Sequence, residues 1–420
     1  MVLRSGIACV LAILPLALAA QAPSGGRVIT GEEFADLLTS DFDARMQAQA
    51  DANIAALARA GLLVVPNAQT SADLAWPLRQ RAPFDQFAYH GISNFVDHDP
   101  RFPQKVQDYT CGQRTYDLDS GYNHAGTDYY LWPFPWLMMD QGQIEIVAAA
   151  PGVLVGRDDG NFDRQCFFDG TSQPNFVRIL QDDGLSAIYL HMRDGSVTTV
   201  PIGTHVEAGD YLGLVGSSGQ SSGPHLHFEL RDANGVVIDP RHGACNAEPE
   251  RWTVLQPYED PHIDSLSTHS EEPEPAGCGF MNGAASDDNP HYKNVFAPGD
   301  ALWVFVSYRD QRNGEVTAFT ILQPDGSPFA QWQFDLASEG FATPFYSGTT
   351  WDWKYILPQS APAGSWQVRA VFEGVTYTHG FVVENPAFIG NARDRRAHGA
   401  GDATRCRPSV TDSGSYNCAP

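Results

Sequence analysis

The chain has 420 residues, 43% of them hydrophobic and 11% aromatic, enough to bury two or three domain cores. A formal net charge of -24 leaves no basic patch to neutralise phosphates, so nucleic acid is excluded as the expected partner. The first 22 residues carry one positive charge, Arg4, then an apolar run from Ile7 to Leu18 and the small-residue pattern Ala20-Gln21-Ala22. That is the layout of a secretory signal peptide, and the run is short for a spanning helix. The expectation is a secreted or periplasmic monomer with no membrane anchor after cleavage.

Residues 23–75 read as an N-terminal helical segment, with Thr30 and Glu33 at capping-box spacing, Phe34, Leu37 and Leu38 opening an apolar stripe, and Gly61 as a stop. Its place between the signal and the next domain makes it a candidate propeptide. From Trp76 the character changes to short β-like runs such as "IEIVAA", "GVLVG", "FVRILQ", "SAIYLHM", "YLGLVG" and "HLHFELR", punctuated by turn signals at Asp183-Gly184 and Asn234-Gly235. The fold class expected is mainly β, with an antiparallel domain over 76–245. Residues 246–291, rich in Pro, Glu, Ser and Asp, read as a linker. Strand-like runs from "ALWVFVSY" to "VTYTHGFVVE" predict a β-sandwich over 292–386, and 387–420 form an irregular tail.

Removal of Cys9 with the signal leaves Cys111, Cys166, Cys245, Cys278, Cys406 and Cys418. An even number in an oxidising compartment points to disulfides. Nearness along the chain favours Cys245 with Cys278 and Cys406 with Cys418, which leaves Cys111 with Cys166; the sequence itself does not fix the pairing.

The chemistry concentrates in histidines. In "SGPHLHFEL" strand alternation puts His225, His227 and Glu229 on one face and Leu226, Phe228 and Leu230 on the other. A half-buried strand gives the same alternation, but two imidazoles at i and i+2 can also converge on one metal ion. "NHAGTD" adds His124 and Asp128 with Gly126 between them, and "YLHM" adds His191. Two histidines and a carboxylate are a sufficient protein ligand set for catalytic zinc, with a position left for water.

"HAGTD", the isolated "YLHM" and "SSGQSSGPHLHFEL" followed by "VIDP" together resemble the lysostaphin/LytM-type zinc endopeptidases, including the beta-lytic enzymes, over roughly residues 76 to 245. The resemblance implies a single zinc held by His124, Asp128 and His227, with His191 and His225 as a catalytic pair. It implies hydrolysis of the peptide cross-links of bacterial peptidoglycan by metal-activated water, in an exported bacterial protein. Strand alternation fixes His225 beside His227 and favours it as general base, with His191 donating to the oxyanion; the two roles are exchangeable at this level. Cleavage of glycine-rich extracellular proteins is an alternative, as is a non-catalytic wall-binding or hydrolase-activating module of the same fold. Relatives of that last kind usually lack a metal position, and none is missing here. Glu229 reads more readily as a solvated strand residue than as a partner orienting a ligand histidine. Tyr129, Tyr130, Trp132, Phe134 and Trp136 read as groove wall or as core, and His90, His98, His205 and His242 as surface or structural.

Overall fold

The structure is a computed structural model that describes residues 21–29, 34–63, 73–276, 287–341 and 345–384. The signal peptide up to residue 20, Thr30, Glu33, Cys278, Cys406, Cys418 and the tail lie outside the described residues.

The sequence between Leu78 and Ile238 folds as two antiparallel sheets. The larger has the strand order His90–Asn94, Thr127–Leu131, His225–Arg231, Ser186–Met192, Asn175–Gln181, Gly152–Asp158, His205–Val206, with Val237–Ile238 added beside Leu230 and Arg231. The smaller joins Tyr211–Leu214, Ile144–Val147 and Leu78–Gln80. Alternation supplies the core between them: Leu226, Phe228, Leu230, Tyr189 and Val177 meet Leu78, Ile144, Ile146 and Leu212. The turn glycines Gly184 and Gly235 have φ of 92° and 80°, a conformation that glycine adopts without steric cost.

The opposite face of the large sheet is covered by the helix Ser40–Arg59. Thr39 caps it by accepting from the Phe42 N–H at 3.3 Å, and Asp41 and Asp43 in the first turn complement the helix dipole. Phe42, Met46, Ala50 and Leu57 form its buried stripe. Phe42 and Met46 pack on Phe176, Ile188 and Leu190, while Ala50 and Leu57 pack on Val153 and Val155. Phe42, Met46 and Leu57 each contribute roughly 1.5–3 kcal/mol by leaving water. The helix begins later than the stripe from Phe34 suggests, because Asp36 makes a strand-like bridge to Ser221 instead of entering a helical turn.

The second core lies between a sheet ordered Gly25–Ile29, Phe345–Ile356, Ala301–Arg312, His262–His269 and a sheet ordered Val295–Phe296, Val375–Val383, Gly364–Phe372, Thr317–Leu322, Pro328–Phe334. Val304, Phe319, Trp332, Trp353, Val368 and Phe381 fill it. Two of these strands come from outside the expected sandwich. His262–His269 lies in the stretch read as linker, and Gly25–Ile29 in the segment read as helical. "HIDSLSTH" points only Ile263 and Leu266 into the apolar core, and its polar residues are themselves buried, Asp264 by an ion pair with Arg309 at 2.8 Å. A strand so polar carries no hydrophobic period.

The sandwich docks directly on the strand that carries Asp128. Tyr130 donates its hydroxyl to the Ser347 carbonyl at 2.5 Å, Phe134 stacks on Phe305, and buried Arg114 pairs with Asp310 at 2.6 Å. Tyr129, Tyr130, Trp132, Phe134 and Trp136 are each at most 1% exposed, so they are core and not groove wall. Cys111 is bonded to Cys245, 134 residues away, which replaces both the Cys111–Cys166 and Cys245–Cys278 pairings. Nearness along the chain misleads here because the folded sheet returns residue 245 to the loop of residue 111: the Cys245 N–H donates to the Tyr109 carbonyl at 2.9 Å. Cys166 is also disulfide-bonded. Among the described residues no helix is long and apolar enough to cross a membrane.

One carboxylate under the first strand gives a pH prediction. Asp352, opposite Gly25 and with its Oδ1 unpartnered, is raised from 3.8 to about 7 by burial and by the charge of Glu272. The folded chain keeps a proton that the unfolded chain releases, so stability is full below about pH 4 and falls as pH rises through 7. Asp352→Asn is therefore expected to raise the melting temperature most above pH 7 and least near pH 4. A gain independent of pH would refute the assignment.

Candidate metal and catalytic site

The strand His225–Arg231 runs antiparallel between Thr127–Leu131 and Ser186–Met192, with His227 directly across from Asp128. Directly opposed residues share a sheet face, so the register alone brings the carboxylate to the imidazole. His227 Nδ1 lies 3.0 Å from Asp128 Oδ1. His124, just before the strand, brings its Nε2 to 3.1 Å from Asp128 Oδ2 and 3.2 Å from His227 Nδ1. Gly126 allows this approach, since a Cβ there would sit 2.6 Å from His227 Nε2 and from the Phe228 carbonyl. The sequence-predicted ligands His124, Asp128 and His227 thus converge, all completely buried.

The second cluster adjoins the first. His225 is two residues along the same face, and His191 closes the neighbouring strand with φ 63°, a left-handed turn of the backbone at the end of the strand. Their ring centroids are 4.5 Å apart. His191 Nδ1 is 2.7 Å from the Ser218 carbonyl, and His225 Nδ1 is 2.7 Å from the Gly223 carbonyl. Each carbonyl accepts the Nδ1 proton, leaving Nε2 as a lone pair in the neutral ring. His124 is held the same way, with Nδ1 2.7 Å from the Phe95 carbonyl and the Tyr116 ring stacked on it.

Four residues that the sequence did not single out complete the site. Asp36, from the N-terminal segment, places Oδ2 2.5 Å from His227 Nδ1, 3.2 Å from His191 Nε2 and 3.7 Å from His225 Nε2. Tyr116 and Tyr122 donate their hydroxyls to its Oδ1 at 2.9 and 2.8 Å. Asn94 donates to Asp128 Oδ2 at 3.2 Å. Tyr116 and Tyr122 lie in the loop that leads into His124, in "RTYDLDSGYNHAGTD". Nothing distinguishes Asp36 from its acidic neighbours in "EEFADLLTSDFD".

The electrostatics are those of a cation site. Burial opposes ionisation of Asp36, yet the charge on His227 beside it and the other imidazoles around it hold its carboxyl well below the usual range. Burial likewise opposes the charged form of His227, and the Asp36 and Asp128 carboxylates outweigh it and raise the imidazole well above its ordinary value. His191, where burial dominates, is lowered. Tyr116 and Tyr122 are raised by burial and by Asp36, so they stay protonated donors.

The donor set fits a metal. One atom each of Asp36, His124, Asp128 and His227 lie within 4.8 Å of one another. Tetrahedral zinc with bonds near 2.0–2.2 Å separates its ligand atoms by roughly 3.3–3.6 Å; the 3.0–3.2 Å spacings among His124, Asp128 and His227 come near this, whereas the 2.5 Å between Asp36 Oδ2 and His227 Nδ1 is a hydrogen-bond distance. With Nδ1 of His227 directed inward, its Nε2 faces Glu229 Oε2 at 3.5 Å. Glu229 is 1% exposed and paired through Oε1 with Arg231, which reaches Asp43 on the helix at 2.6 Å. It is therefore no solvated strand residue. Glu229→Gln is expected to weaken metal binding roughly 10–100-fold by loosening His227, measured by chelator competition. An unchanged dissociation constant would deny Glu229 that role.

His98 and His205 stand apart on carboxylates of their own, Asp239 and Asp182. Comparison with known proteins singles out the same region of the chain. The family model described as Peptidase family M23 matches residues 136–240, a span that contains His191, His225 and His227 and stops short of His124 and Asp128. Curated relatives named DD-carboxypeptidase/endopeptidase Mpg, from Neisseria meningitidis serogroup B and Neisseria gonorrhoeae, are 38% identical over 66 residues. That alignment covers 16% of this chain and 14% of each relative. The crystal structure of a mutant catalytic domain of the prophage-encoded M23 protein EnpA from Enterococcus faecalis aligns with a TM-score of 0.24 and 24% identity, covering 39% of this chain and 92% of that one. The mainly β chain carries a peptidase family M23 domain of the lysostaphin/LytM type.

Proposed function

We propose that the protein is an exported zinc-dependent endopeptidase that hydrolyses the peptide cross-links of bacterial peptidoglycan. One observation carries this reading: His124 Nε2, the Asp128 carboxylate and His227 Nδ1 converge on one point beside the lone pairs of His191 and His225. The names of the relatives support peptidoglycan peptides as the substrate class.

His124, Asp128 and His227 would hold the ion. Bound there, zinc supplies Lewis acidity toward the scissile carbonyl and toward water. His225 Nε2, held as a lone pair by the Gly223 carbonyl, accepts the proton of the attacking water and returns it to the leaving amine. His191 is tied in the same tautomer by Ser218, so its Nε2 is the second imidazole that can exchange a proton at this point beside His225. Tyr116 and Tyr122 are neutral donors aimed at the same place. Complete burial of the histidines keeps bulk water from screening these contacts.

The test is release of new amines from purified peptidoglycan, with mass analysis of the fragments, by the full chain as isolated and after brief limited digestion. Chelator-sensitive release with fragments cut within the cross-links is expected. Bound zinc without hydrolysis of any wall type in either form would remove the substrate assignment.

A further inference from the structure

We propose that the cavity beside Arg193 is a second, non-catalytic binding site that takes the free carboxylate end of a small-residue peptide, an uncut strand of the same cell-wall polymer. The choice of ligand rests on the peptidoglycan reading of the metal site, to which the pocket adds a place where the substrate is held without being cut.

The cavity has a volume of about 510 Å³ and lies among the residues that follow the strand Ser186–Met192 and those of the strand Tyr211–Leu214. Clefts of this size hold small ligands. Backbone contacts fix its distance from the chemistry. The Arg193 N–H donates to the Leu214 carbonyl at 2.9 Å, and the Gly216 carbonyl accepts from the His225 N–H at 3.1 Å. A Cβ on Gly216 would meet the Arg193 Cα at 2.6 Å, so only this one glycine separates the two backbones. Arg193 therefore stands two residues past His191 and about two strand spacings, roughly 10 Å, from His225.

Two guanidinium groups meet at the rim. Gly142 sits between them, since a Cβ there would lie 3.2 Å from Arg193 Nη1 and 3.3 Å from Arg81 Nη1. Arg81 is partly neutralised by Glu145 at 3.6 Å, which also pairs with Arg79 at 2.6 Å. Among the described residues the Arg193 guanidinium has no ion pair or hydrogen bond, although the chain carries a net charge of -24. An unmatched cation in so acidic a protein calls for an anion from outside.

The remaining walls select which anion. Val197, Leu214 and the ring of Tyr211 form an apolar side that suits a short aliphatic side chain. Tyr211 is 37% exposed and is held in place by its hydroxyl, which donates to the Ser196 carbonyl at 2.7 Å. The planar guanidinium fork matches the two oxygens of a carboxylate. Asp194 lies in the same wall, and its charge repels a phosphate dianion more strongly than a carboxylate monoanion. A peptide end anchored here keeps a neighbouring cross-link close to His191 and His225.

The test is calorimetric titration of the zinc-loaded full chain with acetyl-alanyl-alanine bearing a free carboxylate and with its carboxamide, repeated on Arg193→Gln and Tyr211→Ala. The acid is expected to bind at one site, and the amide and Arg193→Gln to weaken that binding about tenfold or more. Tyr211→Ala, which removes the apolar wall and leaves the charge, should weaken binding of the acid too, and serves alone if Arg193→Gln does not fold. Equal binding of acid and amide, or of the acid by wild type and both variants, overturns the site. Binding that chelator abolishes and Arg193→Gln leaves intact puts the carboxylate on the metal and overturns it as well. Displacement of the peptide by an equal concentration of inorganic phosphate overturns the peptide as occupant. Carboxylate-specific binding through Arg193 in a chain that hydrolyses no wall keeps the pocket and sinks the peptidase's peptidoglycan assignment, and wall hydrolysis without such binding does the reverse.

Discussion

Replacing His225 with alanine is expected to lower peptide hydrolysis roughly 10²–10⁴-fold while metal still binds. Its Nε2 has no hydrogen-bond partner and lies 3.8 Å from Asp128 Oδ1, beyond coordinating contact with the ligand set yet beside it. Loss of the ring therefore removes a proton acceptor without dismantling the cation site. The measurement compares turnover on peptidoglycan with zinc content in whichever form of the chain hydrolyses the wall. Loss of zinc together with activity would make His225 a ligand, and unchanged turnover would take it out of the mechanism.

His227→Ala is expected to behave differently. His227 Nδ1 lies 2.5 Å from Asp36 Oδ2 and 3.0 Å from Asp128 Oδ1, so its removal takes away the nearest basic group that the two buried carboxylates share. Metal binding and activity should both vanish. The variant should also lose the stabilisation that metal confers on the wild type, about 4 kcal/mol when free metal exceeds its dissociation constant a thousandfold. Thermal unfolding with and without chelator reads this: the wild type shifts and His227→Ala does not. A chelator shift that survives in the variant would place the bound ion elsewhere.

The site was legible in the sequence wherever a local pattern encodes geometry. His-x-His on a strand fixes two rings on one face, and the register opposite His227 then delivers Asp128. The strands of both cores were legible for the same reason, since Leu226, Phe228 and Leu230 alternate with polar neighbours. That pattern misled about Glu229, because the face it shares is covered by the helix, whose Asp43 holds Arg231 against Glu229, and does not meet solvent. Contacts made across long separations were silent. Asp36 reaches the site through backbone pairing with residues 220–222, an edge that no side-chain pattern announces. His262–His269 is held by buried ion pairs and hydrogen bonds as much as by apolar residues, so its composition imitates a linker.

The pairing of Ile29 with Gly348 and of Gly25 with Asp352 stitches the start of the chain to a strand made near its end. A ribosome-bound or prematurely terminated chain that stops before residue 345 has no partner to offer the first strand. The first strand therefore finds its partner only once synthesis has passed residue 356, so its pairing is among the last contacts of this sheet to form.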